Sequence, residues 1–183
     1  MTTYIFLPIP TQEMKDFANK LGLPAKQLLH NFFVSGKGKG LTRALGGGCL
    51  RALSPADTVN LICHGATGGS TKTGADRAGV LKAYTPAELA EVLEKEGLPK
   101  TFVNLKLLIC GGALDRNPSA KGKPAFAKGC FDALKARGYG NIQVTGYCGD
   151  VSTDGGAITV LRDGTEGGKY YAEDAVGSTV VYR

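Results

Sequence analysis

The chain has 183 residues, enough to bury one substantial core, so we expect a single domain over residues 1–183. The net charge of +6 comes from lysines and arginines spread along the chain, and no nucleic-acid-reading motif accompanies them, so no nucleic-acid partner is expected. The five cysteines include no Cys-x-x-Cys pair, which argues against a disulfide framework and a zinc site; we expect no metal.

No apolar stretch is long enough to span a membrane, so no membrane partner is expected. The first residues, MTTYIFLPIPT, lack a basic n-region, and proline interrupts their short apolar run, so we expect no cleavable signal peptide. We expect the protein to be cytoplasmic in the cell that makes it. Export as an effector by a route that needs no such signal stays open.

Strand and helix signals alternate from the start of the chain. Residues 3–9, TYIFLPI, predict a strand, and the next segment predicts a helix that has Thr11 as its N-cap and Gly22 as its stop. Residues 24–33 continue the helical pattern. The glycine- and lysine-rich segment 35–48 breaks all periodicity and predicts a mobile basic loop.

Two continuous apolar runs in the middle of the chain predict strands that are covered on both faces. These are TVNLIC at residues 58–63 and FVNLKLLIC at residues 102–110. The helix between them has the clearest signals in the chain: Thr85 as its cap, Glu88 completing a capping box, and Gly97 as its stop. The order strand, helix, strand is therefore repeated here.

The last third of the chain predicts one further helix and several strands. The helix is expected over residues 124–138 and a strand over residues 141–147. The runs AITVL at 157–161 and STVVYR at 178–183 are expected to pair as a terminal β-hairpin or flap.

Strands that alternate with helices of this size form right-handed βαβ units. The predicted fold class is therefore α/β: a mostly parallel sheet with helices on both faces, that is, a three-layer sandwich, with the C-terminal hairpin or flap added. Ligands and catalytic groups in such sheets collect at the carboxyl ends of the strands. The residues that follow the apolar runs are thus the candidate site.

A histidine and a cysteine end the two central strands. His64 follows the first and Cys110 ends the second, with one helix between them, so neighbouring strand ends would present both side chains to a shared substrate. A thiolate is a nucleophile, and an imidazole beside it can stabilise it or pass a proton to the leaving group. Gly65, Gly111 and Gly112 are expected to leave backbone N–H groups unobstructed for an oxyanion.

This pattern resembles the caspase-like (clan CD) cysteine peptidases, which include caspases, legumains, gingipains, clostripain and the self-cleaving protease domains of large bacterial toxins. The resemblance runs from about Val59 to Val151 and is strongest at LICHGA and LLICGGA. It implies that Cys110 is the nucleophile and His64 the general acid/base, with the N–H groups of Gly65 and Cys110 as oxyanion donors. It also implies cleavage of peptide bonds through a thioester, with a protein or peptide as substrate and without a required cofactor.

The later segment VTGYCGDVS, followed by a β pair, is most similar to the toxin protease domains. Those domains carry a β-flap in this region and are activated by inositol hexakisphosphate. The resemblance thus implies inositol hexakisphosphate as a candidate activator.

Several residues after the strand at 141–147 have alternative roles. Cys148 also follows a strand and competes with Cys110 as the nucleophile. Tyr147, Cys148 and Asp150 are candidates for a substrate pocket, in which Asp150 and Asp154 would favour arginine or lysine before the scissile bond; turn formation is the alternative role of the two aspartates.

Two other functions share these sequence features. A non-catalytic binding module would use the basic glycine-rich loop to hold an anionic ligand or a partner protein. An acyltransferase would use the same cysteine and a different acceptor, because water and amines attack the same thioester. The oligomeric state is not indicated by the sequence.

Overall fold

A computed structural model of the chain describes residues 1–9, 11–30, 47–65, 84–114, 124–162 and 170–183. The chain is α/β, with three α-helices and nine strands among these residues. In chain order the elements are β1 (Thr3–Phe6), α1 (Gln12–Asn19), β2 (Leu28–Leu29), β3 (Thr58–Ile62), α2 (Pro86–Lys95), β4 (Asn104–Leu108), α3 (Phe126–Ala136), β5 (Gln143–Tyr147), β6 (Gly149–Ser152), β7 (Thr159–Arg162), β8 (Tyr170–Ala172) and β9 (Thr179–Tyr182).

The strands form a main sheet and a smaller one. The main sheet has the order β2-β1-β3-β4-β5-β9; its first five strands are parallel, and β9 runs antiparallel to β5. The smaller sheet, β6-β7-β8, is antiparallel. The sheet is therefore mixed and mostly parallel, as the βαβ pattern predicts.

Helices pack against the main sheet. On one face α3 approaches β5 so closely that a Cβ at Gly146 would lie 2.5 Å from the Ala127 Cβ, and Phe131 contacts Tyr182 with ring centroids 6.4 Å apart. Met14 of α1 and Ile62 of β3 line the same cleft. This arrangement is compatible with a three-layer α/β sandwich.

The helix-start signals are confirmed. The Thr11 hydroxyl accepts a hydrogen bond from the Met14 N–H at 3.2 Å, and α1 begins at Gln12, directly after Thr11. Thr85 and Glu88 form the complete capping box, with the Glu88 side chain accepting from the Thr85 N–H at 2.8 Å. Such local hydrogen bonds involve neighbouring residues, so sequence predicts them well.

Two predicted elements are wrong. The helical pattern expected from residue 24 gives only a short 3-10 turn, Ala25–Gln27, after which Leu28 and Leu29 pair with β1 as an edge strand. The leucines thus gain ladder hydrogen bonds and a place beside the core, which outweighs the weak helical periodicity. The end of that predicted helix and most of the predicted basic loop, residues 31–46, lie outside the described residues.

The predicted pairing of AITVL with STVVYR is also wrong. The first run forms β7 and pairs with β6 and β8, whereas the second forms β9 and pairs with β5 in the main sheet. Pairing with β5 lets Tyr182 pack against Phe131 of α3. A separate hairpin would leave this Phe131 ring without that contact.

Among the residues that the structure describes, none belongs to a helix with the length and apolar character needed to cross a membrane.

Candidate active site

A cleft of about 490 Å³ opens at the carboxyl ends of β3 and β4, beside α1. It is lined by Glu13, Met14, Asp16, Phe17, Lys20, Ile62, Cys63, His64, Leu108, Cys110 and Val151. Its walls combine apolar side chains with a few polar ones, as ligand sites usually do. Both the predicted histidine and the predicted cysteine belong to this lining.

Strand register brings the two predicted residues together. Ile62 is directly opposite Leu108 in the parallel β3–β4 ladder, and His64 and Cys110 each lie two residues farther along. Both residues therefore follow the ends of adjacent strands, and both line the cleft. The structure thus brings an imidazole and a thiol to one cleft.

Gly65 shows how closely the two strand ends approach each other. A Cβ at this position would lie 2.3 Å from the Cys110 carbonyl oxygen and 2.5 Å from Ile109 Cγ2. The first of these contacts is with backbone and has little freedom to relax. Glycine at residue 65 therefore permits the contact between the chain after His64 and the chain at Cys110.

Cys110 is a half-buried thiol held between backbone and carboxylate groups. The Val151 N–H donates to its Sγ at 3.4 Å. Burial raises the pKa of the Cys110 thiol, and the charge and hydrogen bond of Asp150 raise it further, while the Val151 N–H opposes the shift. At neutral pH the resting side chain is therefore the neutral thiol.

Glu13 is the carboxylate that faces His64. Its Oε2 lies 3.3 Å from His64 Nε2, while the His64 side chain is still 39% exposed. A carboxylate at this distance restricts the imidazole orientation, and the exposure leaves the ring accessible to a substrate. Sequence analysis missed Glu13, although its position just after β1 places it at the same carboxyl edge of the sheet.

The expected oxyanion donors have different surroundings. The Gly111 N–H donates to the Gly149 carbonyl oxygen at 2.9 Å, and the Gly112 N–H donates to the Ile109 carbonyl oxygen at 3.0 Å. Both N–H groups are thus already hydrogen-bonded within the protein, and neither is available to an oxyanion as expected. Gly111 instead has a structural role, because its φ of 62° is one that glycine adopts easily and that turns the chain after Cys110.

The cleft lining includes none of Tyr147, Cys148 and Asp150, the residues predicted to line a substrate pocket. Tyr147 is fully buried and its hydroxyl donates to Glu173 at 2.9 Å, so it does not line the cleft. The Cys148 N–H donates to the Ser178 carbonyl oxygen at 2.9 Å, and Cys148 is not part of the cleft lining either. Asp150 raises the pKa of the Cys110 thiol through its charge and a hydrogen bond. The side chain of Asp154 lies outside the described residues.

No group of three or more histidine, cysteine, aspartate or glutamate side chains suited to a metal ion occurs in the described ranges. The carboxylates in the cleft lining are Glu13 and Asp16, and the cations are Lys20 and, when protonated, His64. The chemistry that these residues offer is a thiol nucleophile, an imidazole proton carrier and a negatively charged wall.

Replacing Asp150 by asparagine should speed the alkylation of Cys110 by iodoacetamide at neutral pH. The change removes a negative charge that raises the thiol pKa, so the thiolate fraction increases. For each pKa unit of decrease the rate should rise about threefold, because about tenfold more thiolate is partly offset by lower intrinsic nucleophilicity. Peptide mass mapping over time measures the rate at this one cysteine.

The matched control is Asp16→Asn, which removes a carboxylate from the cleft that does not contact the thiol. Its alkylation rate should stay close to that of the unmodified protein. An equal or slower rate in Asp150→Asn would contradict the described influence of Asp150 on Cys110.

The roles of these residues rest on their geometry and chemistry. Comparison with known proteins assigns no further role, since no protein-family model matches the sequence and no curated protein matches it either.

Proposed function

We propose that the chain is a cysteine peptidase of caspase-like fold, a three-layer α/β sandwich in which the smaller sheet corresponds to the flap. The observation that carries the proposal is that His64 and Cys110, from the ends of adjacent parallel strands, line one cleft. Neither the histidine nor the cysteine would be strong evidence by itself. Together they supply the nucleophile and the proton carrier that acyl transfer requires.

In the proposed reaction Cys110 Sγ attacks the carbonyl carbon of the scissile peptide bond while its proton passes to His64. The negative charge that develops on the carbonyl oxygen is stabilised by the N–H groups of Gly65 and Cys110. The C–N bond then breaks, and His64 gives its proton to the departing amine. Water attacks the resulting thioester with His64 as the base, which releases the carboxylic acid and restores the thiol.

The surroundings of Cys110 support activation that depends on substrate. Burial and Asp150 raise the pKa of the thiol, so the resting enzyme holds little thiolate. A bound peptide would exclude water from the cleft and place its carbonyl group between Cys110 and His64. Deprotonation and attack then occur within the complex.

The cleft favours a substrate with a basic side chain. Asp16 and Glu13 both line it and outnumber the single Lys20 ammonium, so lysine or arginine before the scissile bond would meet a net negative field. Asp16 takes the role in substrate selection that sequence analysis gave to Asp150. The protein or peptide substrate is the only partner that the mechanism needs, and inositol hexakisphosphate stays a candidate activator.

A non-catalytic binding module is the second candidate. The raised pKa and half-buried position of Cys110 favour it, since catalytic thiols usually have depressed pKa values. In that case the cleft would hold a peptide without cleaving it, and electrophiles would not react selectively with Cys110.

Mass spectrometry with peptide chloromethyl ketones separates the two candidates. One reagent ends in lysine at the reactive carbonyl and the matched reagent ends in aspartate. The peptidase proposal expects one adduct per chain, mapped to Cys110, that forms faster with the lysine reagent. An adduct on Cys148 would refute the nucleophile assignment, and equal slow labelling of several cysteines would favour the binding module.

A further inference from the structure

We propose that a second cavity, separate from the cleft, binds a small organic cation, an alkylammonium or alkylguanidinium. This Asn60 cavity has a volume of about 340 Å³, and its lining includes Leu21, Leu23, Asn60, Ile158, Glu173 and Asp174. None of these residues lines the cleft that holds His64 and Cys110. The inference is thus independent of the proposed peptidase activity.

Asn60 provides the evidence that the cavity is built for a polar ligand. It lies in the middle of β3 and is only 5% exposed, and its Oδ1 accepts no hydrogen bond from any residue that the structure describes. Burying an amide oxygen without a donor is unfavourable, and buried polar atoms nearly always have a partner. A ligand N–H group in the cavity would supply the missing donor.

The charges around the cavity select a cation. Glu173 is held by two neighbours, accepting from the Lys106 ammonium and, at 2.9 Å, from the Tyr147 hydroxyl. Asp174 is exposed and forms no ion pair with a residue in the described ranges. Two carboxylates and one ammonium leave a net negative site, which attracts a cation and repels an anion such as phosphate.

The apolar walls of the Asn60 cavity indicate that the rest of the ligand is apolar. Leu21, Leu23 and Ile158 face the same cavity as the polar groups. A short methylene chain would pack against them while its terminal N–H groups reach Asn60 Oδ1 and the Asp174 carboxylate. A fully hydrated inorganic cation would use the carboxylates and gain nothing from these walls.

Isothermal titration calorimetry with agmatine and 1,4-diaminobutane tests the site directly. We expect saturable binding of at least one of them, with a dissociation constant of about 0.1–1 mM, because such small ligands have few atoms to contribute. Asp174→Asn removes an exposed charge, so its fold should be intact, and it should weaken binding at least about tenfold. Asn60→Leu should weaken binding similarly while keeping or raising the melting temperature of the free protein, because the unpartnered oxygen is gone.

Two controls make the result specific. Asp132→Asn removes one negative charge from α3, none of whose residues lines the Asn60 cavity, and should bind like the unmodified protein. Cys110→Ala should also bind normally, so that loss of peptidase activity and loss of this site are distinguishable. The proposal is overturned if neither cation shows saturable binding at about 10 mM, as expected when water alone satisfies Asn60, or if phosphate binds equally well.

Discussion

Replacing Cys110 by alanine should abolish peptide cleavage, and replacing His64 by alanine should lower kcat/KM by at least about a thousandfold. Alanine has no nucleophile, so no thioester can form. Without the imidazole, the attacking thiol cannot transfer its proton and the departing amine receives none. The measurement is kcat/KM on a fluorogenic peptide with lysine or arginine before the scissile bond, with folding checked by circular dichroism.

The chain offers a matched control for each variant. Cys148→Ala removes the competing thiol, and His30→Ala removes the only other histidine in the sequence. Both should retain activity close to that of the unmodified protein, since neither residue lines the cleft. The proposed roles would be refuted by full activity in Cys110→Ala, or by an inactive Cys148→Ala protein beside an active Cys110→Ala protein.

Local signals predicted the fold best. The capping box of Thr85 and Glu88 and the continuous apolar run of β3 were predicted because each involves residues a few positions apart. The strand character of Leu28 and the partner of β9 were missed because both depend on contacts with distant parts of the chain. Periodicity records which face of an element is buried, and it does not record which strand lies beside it.

The same distinction explains the site. His64 and Cys110 were identifiable because the ends of neighbouring parallel strands must meet at one edge of the sheet. Glu13 was missed because its contact joins a helix start to a strand end that is distant in the sequence. Gly111 was misread because the sequence cannot tell whether a glycine N–H is already used, as it is here by Gly149.

The free energy of unfolding should fall steeply as the pH rises above about 9, with Cys130 as a main cause. This thiol lies on the buried face of α3 and is 0% exposed, and burial raises its pKa from 9.0 to about 12. Below pH 9 the thiol is neutral in the folded and the unfolded state, so its contribution to the free energy of unfolding is fully present. Above that value only the unfolded chain loses the proton, which favours unfolding until the folded pKa is reached.

The free energy of unfolding that Cys130 contributes should fall by about 4 kcal/mol between pH 9 and pH 12, since each pKa unit corresponds to about 1.4 kcal/mol. Tyr139, whose pKa is also raised to about 12, acts in the same direction at higher pH.

Urea unfolding from about pH 8 to about pH 10.5 measures the slope, and Cys130→Ala should flatten it by up to about 1.4 kcal/mol per pH unit. Leu134→Ala, which opens a cavity on the same buried face of α3 without removing a titratable group, should leave the slope unchanged. Parallel curves for Cys130→Ala and the unmodified protein would mean that the buried thiol is not what couples folding to alkaline pH, because a cavity alone lowers stability equally at every pH.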